Sequence, residues 1–528
     1  MPENATQSTP SAPATFAAWA AEQWHGAPVW YRAAMGAVVL GGTALAVARA
    51  FTTGITFDEA YNWHLYLQHD FGRIWGLYDA NNHLLNTVLS RLCVELFGPA
   101  EWAMRLPALF GRLGFLLAVA LLSALLLRGW ALRLGAIVLV ATQPVLLDFG
   151  SLSRGYSLAL CFAAWGLAAG LWKVERDSAR PGPRPLREDV PLLAGMSVLF
   201  GLSVMTVPVF INFVAPFCLL LAAREFWLWG RPRQERGVDG PPWRRGVYTV
   251  ALLAGPAAVL NLAVWGPVLP NIKPGVFYLG MPSAWGGYQT LHWAMLYAGD
   301  VNVTPLPDAP FRWLTALTLQ TWVQVAGATV LVASLVWGAV QGRNVPLRWA
   351  ALALVLAFCM AASQNLLLGL PWPLDRTMLY VVPLLLLIIP AGLQAAGRLD
   401  MTAVRAAGWV LLLLFAVYQV SKLTMEWHFS FRTSGPVREV MREFQEMDGP
   451  VRFVHTEWVQ WEIEYYRDRH GLEHVTFLRD DTVEDLATAR LDLALLFSHD
   501  VPDEPGWVEE AVFPAANLVL LRRESPAP

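Results

Sequence analysis

The sequence has few charged residues, and long stretches of it carry none. Asp, Glu, Lys and Arg make up 15% of the 528 residues, while apolar residues make up 55%. An ordinary soluble domain is about 25% charged. Uncharged stretches of this length are typical of membrane spans rather than of one apolar core. The net charge of -3 gives no reason to expect nucleic-acid binding.

Cysteines and targeting signals are also sparse. The chain has four cysteines, three of them within apolar stretches, and no CxxC or Cys/His cluster. This pattern indicates small apolar helix residues and does not support a disulfide framework. Residues 1–30 lack a basic segment followed by an apolar one, so no signal peptide is predicted. We expect a loose cytoplasmic N-terminal tail there.

Eleven stretches have the length and apolar character of membrane spans. They lie near 32–51, 107–127, 132–147, 156–172, 191–206, 208–229, 247–267, 320–340, 349–369, 378–396 and 404–423. The predicted fold is therefore a polytopic α-helical membrane protein.

Alternate connections between these spans are rich in basic residues, which the positive-inside rule places in the cytoplasm. The basic residues are Arg128, Arg133, Lys173, Arg176, Arg180, Arg184, Arg187, Arg231, Arg233, Arg236, Arg244, Arg245, Arg343, Arg348, Arg398 and Arg405.

This orientation predicts the domains. Residues 31–424 form the membrane domain, with a first outer loop at 52–106 and a second long outer loop at 268–319. Residues 425–528 form a small extracytoplasmic α/β domain, because the charged fraction rises sharply and strand and helix patterns alternate there. The pattern predicts strands over 451–455, 475–478 and 491–497, a helix over 459–469 and a closing strand over 512–521.

The first outer loop begins with two adjacent carboxylates, Asp58 and Glu59. Acidic residues favour the first turn of a helix, so a purely structural role is one interpretation. The other is a general base at the membrane surface, because glycosyl chemistry uses a positioned Asp or Glu to take the proton from an attacking hydroxyl.

Further along this loop, Asn81, Asn82 and His83 precede an amphipathic segment at 84–96, which is predicted to lie along the membrane. Helix capping explains one asparagine but not the whole group. We therefore take these three residues as candidate substrate-binding residues. No metal site is predicted, because no second histidine or acid has ligand spacing.

Two arginines, Arg105 and Arg112, lie seven residues apart at the start of the second span. Arg105 can snorkel to the membrane interface. Arg112 lies deeper, where a charge costs roughly 2.5–3.5 kcal/mol on insertion scales. A buried partner or a bound phosphate would offset that cost.

A third cluster, Asp148, Arg154 and Tyr156, connects spans three and four. In one interpretation Asp148 and Arg154 pair with each other. In the other, Arg154 binds a carrier phosphate, for which a guanidinium is well suited, and Asp148 orients its neighbours.

Two later features also face the predicted outer side. Asp375 and Arg376 stand before a late span, where Arg376 is either an interface anchor or a third converging arginine. The loop 268–319 is rich in aromatic residues and glycine, which indicates an interface belt, a lid over a lipid-linked sugar, or both. Its notable residues are Lys273, Tyr278, Trp285, Tyr288, His292, Trp293, Tyr297 and Trp313.

In this order, these segments resemble the polyprenyl-phosphate-dependent GT-C glycosyltransferases. The nearest resemblance is to the protein O-mannosyltransferase and lipid A aminoarabinose transferase branch, which is similar to glycosyltransferase family 39. It covers roughly residues 40–400. The motifs that carry it are Asp58-Glu59, Phe97-Gly98 with Glu101-Trp-Ala-Met-Arg105-Leu-Pro107, Ser153-Arg154-Gly-Tyr156 and Asp375-Arg376. Many relatives have Pro-Pro-Leu or Lys-Pro-Pro-Leu where this chain has Asn81-Asn82-His83-Leu84.

The resemblance implies a GT-C topology and inverting transfer of a sugar from a polyprenyl-phosphate carrier to a hydroxyl of a lipid, glycan or protein on the outer face of a bacterial inner membrane. Asp58 would be the base, and Glu59 would support it or bind the acceptor. Arg154, Arg376 and Arg112 would bind the donor phosphate. No cofactor is required by this resemblance, but some relatives use a divalent cation, which leaves metal dependence open.

Two other functions fit the same composition. One is a transporter or flippase for a lipid-linked glycan, although the ionisable clusters lie at predicted helix ends rather than near mid-span, where transport sites usually lie. The other is a non-catalytic assembly protein whose outer α/β domain binds a partner.

Overall fold

The computed structural model of the chain describes residues 15–179, 186–229, 243–272, 280–296, 320–340, 344–396, 402–425, 428, 431–447, 449–480, 491–501 and 506–524. Within these ranges the α-helices are α1 (Phe16–His25), α2 (Val29–Thr52), α3 (Phe57–Asn62), α4 (Phe71–Gly76), α5 (Leu84–Phe97), α6 (Glu101–Leu126), α7 (Trp130–Thr142), α8 (Pro144–Ser151), α9 (Tyr156–Ala179), α10 (Leu186–Thr206), α11 (Ile211–Trp229), α12 (Trp243–Trp265), α13 (Ala284–Leu296), α14 (Thr321–Val340), α15 (Val345–Leu368), α16 (Val381–Ala396), α17 (Thr402–Ser421), α18 (Ser434–Glu446) and α19 (Gln460–His470).

The protein is a polytopic helical membrane protein with a small sheet near its C-terminus. Of the described helices, seven are long and apolar enough to cross a membrane: α2, α6, α9, α10, α11, α12 and α15. The pair α7 and α8, bent by 57°, passes the same length and composition test when taken together and makes an eighth if it forms one span; Pro144 opens α8 because proline suits the first helical position. The other three predicted spans coincide with α14, α16 and α17, and the count of eleven stays a prediction.

The amphipathic segment of the first loop forms α5, which buries some polar side chains and exposes apolar ones near its end. Asn86 and Ser90 are buried against the rest of the chain, whereas Leu92 and Leu96 are 42% and 75% exposed. An exposed apolar face beside a helix bundle is suited to contact with lipid.

A buried charge network joins four helices at the end of α9 that lies away from Tyr156. Lys173 is 1% exposed, and its ammonium group lies 2.6 Å from Asp177, 2.9 Å from Glu225 and 3.4 Å from Asp189. Arg176, Arg224 and Arg245 also pair with these carboxylates. Three basic residues that were assigned to loops, Lys173, Arg176 and Arg245, therefore lie inside α9 and α12.

A five-stranded sheet follows the helices, with strands β1 (Val451–His455), β2 (Val475–Arg479), β3 (Leu493–Phe497), β4 (Trp507–Phe513) and β5 (Leu518–Arg523) in the order β2-β1-β3-β5-β4. Strand β1 runs parallel to β2 and β3, and β5 runs antiparallel to β3 and β4. The first three predicted strands and the helix between them are confirmed.

The predicted closing strand over 512–521 is wrong, because that range contains a turn. Strand β4 ends at Phe513, and β5 begins at Leu518. Asn517 in the turn has a φ of 57°, a left-handed conformation that asparagine tolerates better than most residues. Two strands of a hairpin therefore close the sheet.

The sheet region shares a hydrophobic core with the first loop. Ile55 and Ala60 of that loop and Met104 of α6 lie in one cluster with Val437 and Phe453. The two regions are also joined by a hydrogen bond, which the Tyr466 hydroxyl accepts from the Ile55 N–H at 3.0 Å. The C-terminal region thus packs directly on the segment that carries Asp58.

We predict that Lys173→Met lowers stability by about 3 kcal/mol, because it removes the central cation from three buried carboxylates. The measurement is thermal unfolding of the purified protein in detergent, followed by tryptophan fluorescence. Arg187→Met is the control, since Arg187 is an exposed cation at the same end of the bundle. Equal unfolding temperatures for the two variants would contradict a stabilising role for the network.

Candidate active site

The two adjacent carboxylates of the first loop lie in α3, directly after the end of α2. Thr56 and Glu59 form a capping box: the Thr56 hydroxyl accepts from the Glu59 N–H at 3.4 Å, and Glu59 Oε2 accepts from the Thr56 N–H at 3.1 Å. Successive residues of a helix point about 100° apart. Asp58 and Glu59 consequently face different surroundings.

Glu59 is fully buried in a forked ion pair with Arg105. Arg105 Nε donates to Oε1 at 2.9 Å and a terminal nitrogen donates to Oε2 at 2.6 Å, while the Ser153 N–H donates to Oε1 at 2.6 Å. Arg105 also donates to the carbonyls of Ala50 and Thr53. The prediction that Arg105 snorkels is wrong, because it has no exposed surface. These contacts give Glu59 a structural role, which is to hold α3 against Arg105 and the Ser153 backbone.

Asp58 lies between two arginines that come from distant parts of the chain. Arg154 and Arg376 each place a terminal guanidinium nitrogen 3.2 Å from Asp58 Oδ2. The Asn81 amide donates to Asp58 Oδ1 at 3.2 Å, and Asn81 Oδ1 accepts from Arg154 at 3.0 Å. The four residues, predicted separately from three segments, form one hydrogen-bonded cluster.

This cluster keeps Asp58 ionised. Burial alone would raise the pKa of the Asp58 carboxyl, but the charges of Arg154 and Arg376 and the hydrogen bond from Asn81 outweigh burial and hold the pKa below its usual value. Asp58 is thus an anion at neutral pH, and both of its oxygens are engaged.

Arg154 also lines a cavity of about 270 Å³ beside the cluster. Its wall is formed by both apolar and polar side chains. The lining residues are Tyr78, Ala80, Asn82, His83, Arg154, Tyr156, Val207, Pro208, Val209, Ile211, Asn212, Gln364, Leu370, Pro371, Pro373 and Thr377. Nε and one terminal nitrogen of Arg154 are buried without a hydrogen-bond partner among the described residues. These N–H groups are donors available to a ligand.

His83 and Tyr156 pack together in the wall of this cavity, with their ring centroids 5.0 Å apart. Gly155 permits the approach, because a Cβ there would lie 2.9 Å from the His83 ring. Burial, together with the charges of Arg154 and Arg376, lowers the pKa of His83 well below its usual value. The imidazole is therefore neutral, and its Nδ1 has no partner among the described residues.

Part of the predicted lid packs against the turn that holds Arg376. The Asp375 N–H donates to the Thr290 hydroxyl of α13 at 3.1 Å, and Met281 and Trp372 exchange backbone hydrogen bonds. The predicted lid residues within the described range are Trp285, Tyr288, His292 and Trp293. Lys273, Tyr278, Tyr297 and Trp313 lie outside the described residues.

Arg112, a predicted phosphate ligand, does not reach the Asp58 cluster. It is 1% exposed, and its guanidinium donates to the Ala141 carbonyl at 2.6 Å and the Leu146 carbonyl at 3.4 Å. These carbonyls flank the break between α7 and α8. Arg112 satisfies backbone carbonyls that the bend leaves without helical partners. Of the two explanations for a charge at this depth, a buried partner and a bound phosphate, the structure therefore shows the buried partner.

Asp148 also lies apart from Arg154, and the interpretation that these two pair is wrong. Asp148 accepts from Arg49 of α2 at 2.5 Å, and the same guanidinium contacts His428 Nδ1 at 2.8 Å. Burial lowers the pKa of His428 to about 4, with Arg49 adding to the shift and the Asp148 hydrogen bond opposing it. A neutral histidine and a buried ion pair thus join α2, α8 and the segment after α17.

Sequence reasoning missed several residues of this region. Arg49 is a cation inside an apolar span, so the cost argument applied to Arg112 would have flagged it. Asn212 is a polar residue in an apolar run. Glu462 gave no signal, because its helix is strongly charged. It is nonetheless fully buried, where it accepts from the Thr433 hydroxyl at 3.2 Å and from the Phe57 N–H.

The residues around Asp58 do not fit a divalent cation. Mg²⁺ and Ca²⁺ take six or more oxygen ligands, whereas the partners of Asp58 are two guanidinium groups and an amide nitrogen. Within the part of the chain that the structure describes, no group of three or more His, Cys, Asp and Glu side chains is arranged to hold a metal ion.

No protein-family model and no curated protein matches this sequence. Solved structures match at low identity. ArnT from Cupriavidus metallidurans bound to undecaprenyl phosphate aligns over 95% of this chain and 99% of its own, with 13% identity and a TM-score of 0.42. The archaeal oligosaccharyltransferase AglB from Archaeoglobus fulgidus, in complex with an inhibitory peptide and a dolichol-phosphate, aligns over 89% of this chain and 70% of its own, with 13% identity and a TM-score of 0.45. Identities and TM-scores this low do not assign a function, which therefore rests on the residues of this chain.

We predict that Glu59→Gln destabilises the protein by about 3–5 kcal/mol, because it leaves the Arg105 charge buried without a counter-ion. Thermal unfolding in detergent measures the loss. The matched control is Glu95→Gln, since Glu95 is 42% exposed in its ion pair with Arg91, and such pairs contribute about 1 kcal/mol or less. If both substitutions cost the same, Glu59 does not hold α3 in place.

A pH-dependent stability is predicted for Glu462. Burial, with a smaller contribution from Asp58, raises the pKa of Glu462 to about 8 from an ordinary value of 4.5. The folded protein thus holds a proton that the unfolded chain releases between these two values. Stability should fall by up to about 1.4 kcal/mol per pH unit as the pH rises from 5 to 8, and this component should be constant above 8.

The comparison is Glu462→Gln, which resembles the protonated acid and cannot titrate. The difference in unfolding temperature between this variant and the natural protein should grow in favour of the variant from pH 5 to pH 8. Parallel temperature–pH curves for the two proteins would show that Glu462 does not carry this proton.

Proposed function

We propose that this chain is a polyprenyl-phosphate-dependent glycosyltransferase of the GT-C type. It moves a sugar from a lipid phosphate carrier to an acceptor hydroxyl, with inversion at the anomeric carbon. The observation that carries the proposal is the ionised Asp58 carboxylate held between Arg154 and Arg376, beside a cavity with apolar walls.

The cavity suits an anion that carries an apolar chain. Val207, Val209, Ile211 and Leu370 offer apolar contacts, and Arg154 offers buried N–H donors at one place. A guanidinium matches the geometry of phosphate oxygens better than an ammonium does. A prenyl phosphate combines the two chemistries in one molecule.

The reaction follows from the roles that these groups can take. Asp58 accepts the proton of the acceptor hydroxyl while the hydroxyl oxygen bonds to the anomeric carbon. The bond between that carbon and the phosphate oxygen breaks, and the prenyl phosphate leaves with the electron pair. Arg154 and Arg376 stabilise the negative charge that develops on the phosphate.

The membrane arrangement is part of the proposal. The 31–424 region forms the catalytic membrane domain, residues 1–30 lie in the cytoplasm, and residues 425–528 form an extracytoplasmic domain. The cluster around Asp58 then faces the outside of a bacterial inner membrane. The basic connections at the opposite helix ends support this orientation.

A transporter or flippase for a lipid-linked glycan is the main alternative. The charged groups of the cluster argue against it, because Asp58 lies in the short helix after α2, Arg154 in the turn before α9 and Arg376 in the turn before α16. Transport sites lie near the middle of the bilayer between discontinuous helices. A non-catalytic assembly protein needs no ionised carboxylate beside a phosphate-binding pocket.

We predict that Asp58→Asn reduces transfer roughly 1,000-fold, within the range for loss of a general base. It should bind a prenyl phosphate at least as tightly, because the ligand no longer competes with Asp58 for the arginines, whereas its unfolding temperature should fall, because Arg154 and Arg376 lose their shared counter-ion. Arg154→Gln should weaken prenyl phosphate binding by roughly 10-fold or more. Mass spectrometry of envelope glycans and lipids from a complemented deletion strain reports transfer.

Asp70→Asn is the control, because Asp70 is an exposed carboxylate of the same loop that caps α4. It should restore the glycan product fully in the deletion strain. A natural product level from the Asp58→Asn strain would refute the base role and favour the transporter or the assembly protein.

A further inference from the structure

The residues that line the cavity beside Arg154 carry two kinds of buried polar atoms that have no hydrogen-bond partner among the described residues. The Arg154 nitrogens are hydrogen-bond donors, whereas Asn82 Oδ1 and Asn212 Oδ1 are acceptors. A phosphate anion can satisfy the donors, but it has no hydrogen to offer to the acceptors. The acceptors therefore point to a second chemical group in the same ligand.

The orientation of the Asn82 amide is fixed by its neighbour. Asn82 is 1% exposed, and its Nδ2 donates to the Ile74 carbonyl at 3.1 Å. A carbonyl can only accept, so the amide nitrogen must face it. The Oδ1 atom is consequently an acceptor without a partner in the wall of the cavity.

Asn212 supplies a similar acceptor from α11. It is 2% exposed, its amide group hydrogen-bonds the Tyr380 side chain, and its Oδ1 has no partner among the described residues. Asn82 comes from the first loop, more than one hundred residues away in sequence, yet both line the same cavity. Two segments of the chain thus present carbonyl oxygens to one ligand.

Buried acceptors without partners destabilise a folded protein, so a ligand with hydrogen-bond donors is the expected complement. A prenyl chain has no such donors, and sugar hydroxyls do. The neutral His83, whose Nδ1 has no partner among the described residues, adds a further group that can bond a hydroxyl. The polar part of the cavity is therefore suited to a sugar.

The charges around the cavity narrow the class of sugar. None of the described residues that line it is a carboxylate, and the nearby Asp58 already lies between two guanidinium groups. An amino sugar would bring an ammonium group to which the described lining residues offer no carboxylate. A sugar acid would bring a carboxylate toward the acceptor oxygens of Asn82 and Asn212.

We propose that this cavity holds the sugar of the lipid-linked donor and that Asn82 and Asn212 select an uncharged, hydroxyl-rich sugar. The inference rests on the proposed function and adds the chemical class of the donor sugar. In the sequence, the specificity residue Asn82 belongs to the Asn81-Asn82-His83 segment, where this chain departs from the Pro-Pro-Leu of the family it resembles.

The experiment measures binding of prenyl phosphates to the full chain in lipid nanodiscs. The probes are a ten-carbon prenyl phosphate alone, the same phosphate carrying glucose, mannose, galactose or arabinose, and the same phosphate carrying 4-aminoarabinose or glucuronic acid. The best neutral sugar should bind at least about 10-fold more tightly than the bare phosphate, which is the effect of one good hydrogen bond to a buried group. The two charged sugars should show no such gain.

Asn82→Leu should remove the gain from the neutral sugar while leaving the affinity for bare prenyl phosphate unchanged, and Asn212→Leu gives an independent test from the other segment. Asn86→Leu is the matched control. Asn86 is also 1% exposed with an unpartnered Oδ1, but it does not line the cavity. It should retain the gain.

Several outcomes would overturn this proposal: a charged sugar that binds more tightly than every neutral one, no gain from any sugar, or a full gain in both leucine variants. The proposed function has a separate readout. If the bare prenyl phosphate fails to bind the natural protein, or binds Arg154→Gln equally well, the phosphate site itself is wrong. Binding that depends on Arg154 without a gain from any sugar would remove only the specificity proposal.

Discussion

The buried ion pair between Glu59 and Arg105 holds together the segments that place the candidate site. It joins the end of α2, the first turn of α3, the start of α6 and the backbone at Ser153. Two charges without exposed surface are costly to desolvate, and the cost is offset because the hydrogen-bond partners of the pair are well-placed donors and acceptors. Since Asp58 precedes Glu59 in the same helical turn, fixing Glu59 fixes the direction in which Asp58 points.

The cluster around Asp58 is arranged so that donor binding and base strength are coupled under the proposed function. With both arginines paired to Asp58, its pKa is low, and a carboxylate in that state is a weak base. A phosphate that enters the cavity competes for Arg154 and Arg376, which withdraws positive charge from Asp58 and raises its pKa. The base is then strongest when the donor is in place.

The long apolar runs and the order of the polar clusters were readable from the sequence. Ten of the eleven apolar stretches coincide with one helix each and the stretch 132–147 with the bent pair α7 and α8, and the sequence singles out Asp58, Asn81, Arg154 and Arg376. The charged residues among them point to a site, because an ionised group beside a membrane is costly unless it is paired or functional.

The pairing of charges was not readable from the sequence. Arg105 was assigned to the interface, yet its partner Glu59 lies 46 residues earlier. Asp148 was given Arg154 as a partner because the two are close in sequence, whereas it pairs with Arg49, 99 residues away. Such contacts depend on how the helices pack, which one sequence does not specify, and the same holds for the four-helix network around Lys173.

The C-terminal region belongs to the scaffold of the candidate site, although its composition sets it apart. Tyr465 donates to the Pro99 carbonyl at 2.8 Å, and Tyr466 donates to Glu101 at 3.1 Å, so α19 contacts the start of α6 directly. Glu462 of the same helix accepts from the N–H of Phe57, the residue before Asp58. A shift of α19 would therefore act on α3 through the contact between the Glu462 side chain and the Phe57 backbone. The composition of the sequence changes near residue 425, shortly after the end of α17. The hydrophobic core that Ile55 and Phe453 share nevertheless packs the C-terminal region against the segment that carries Asp58.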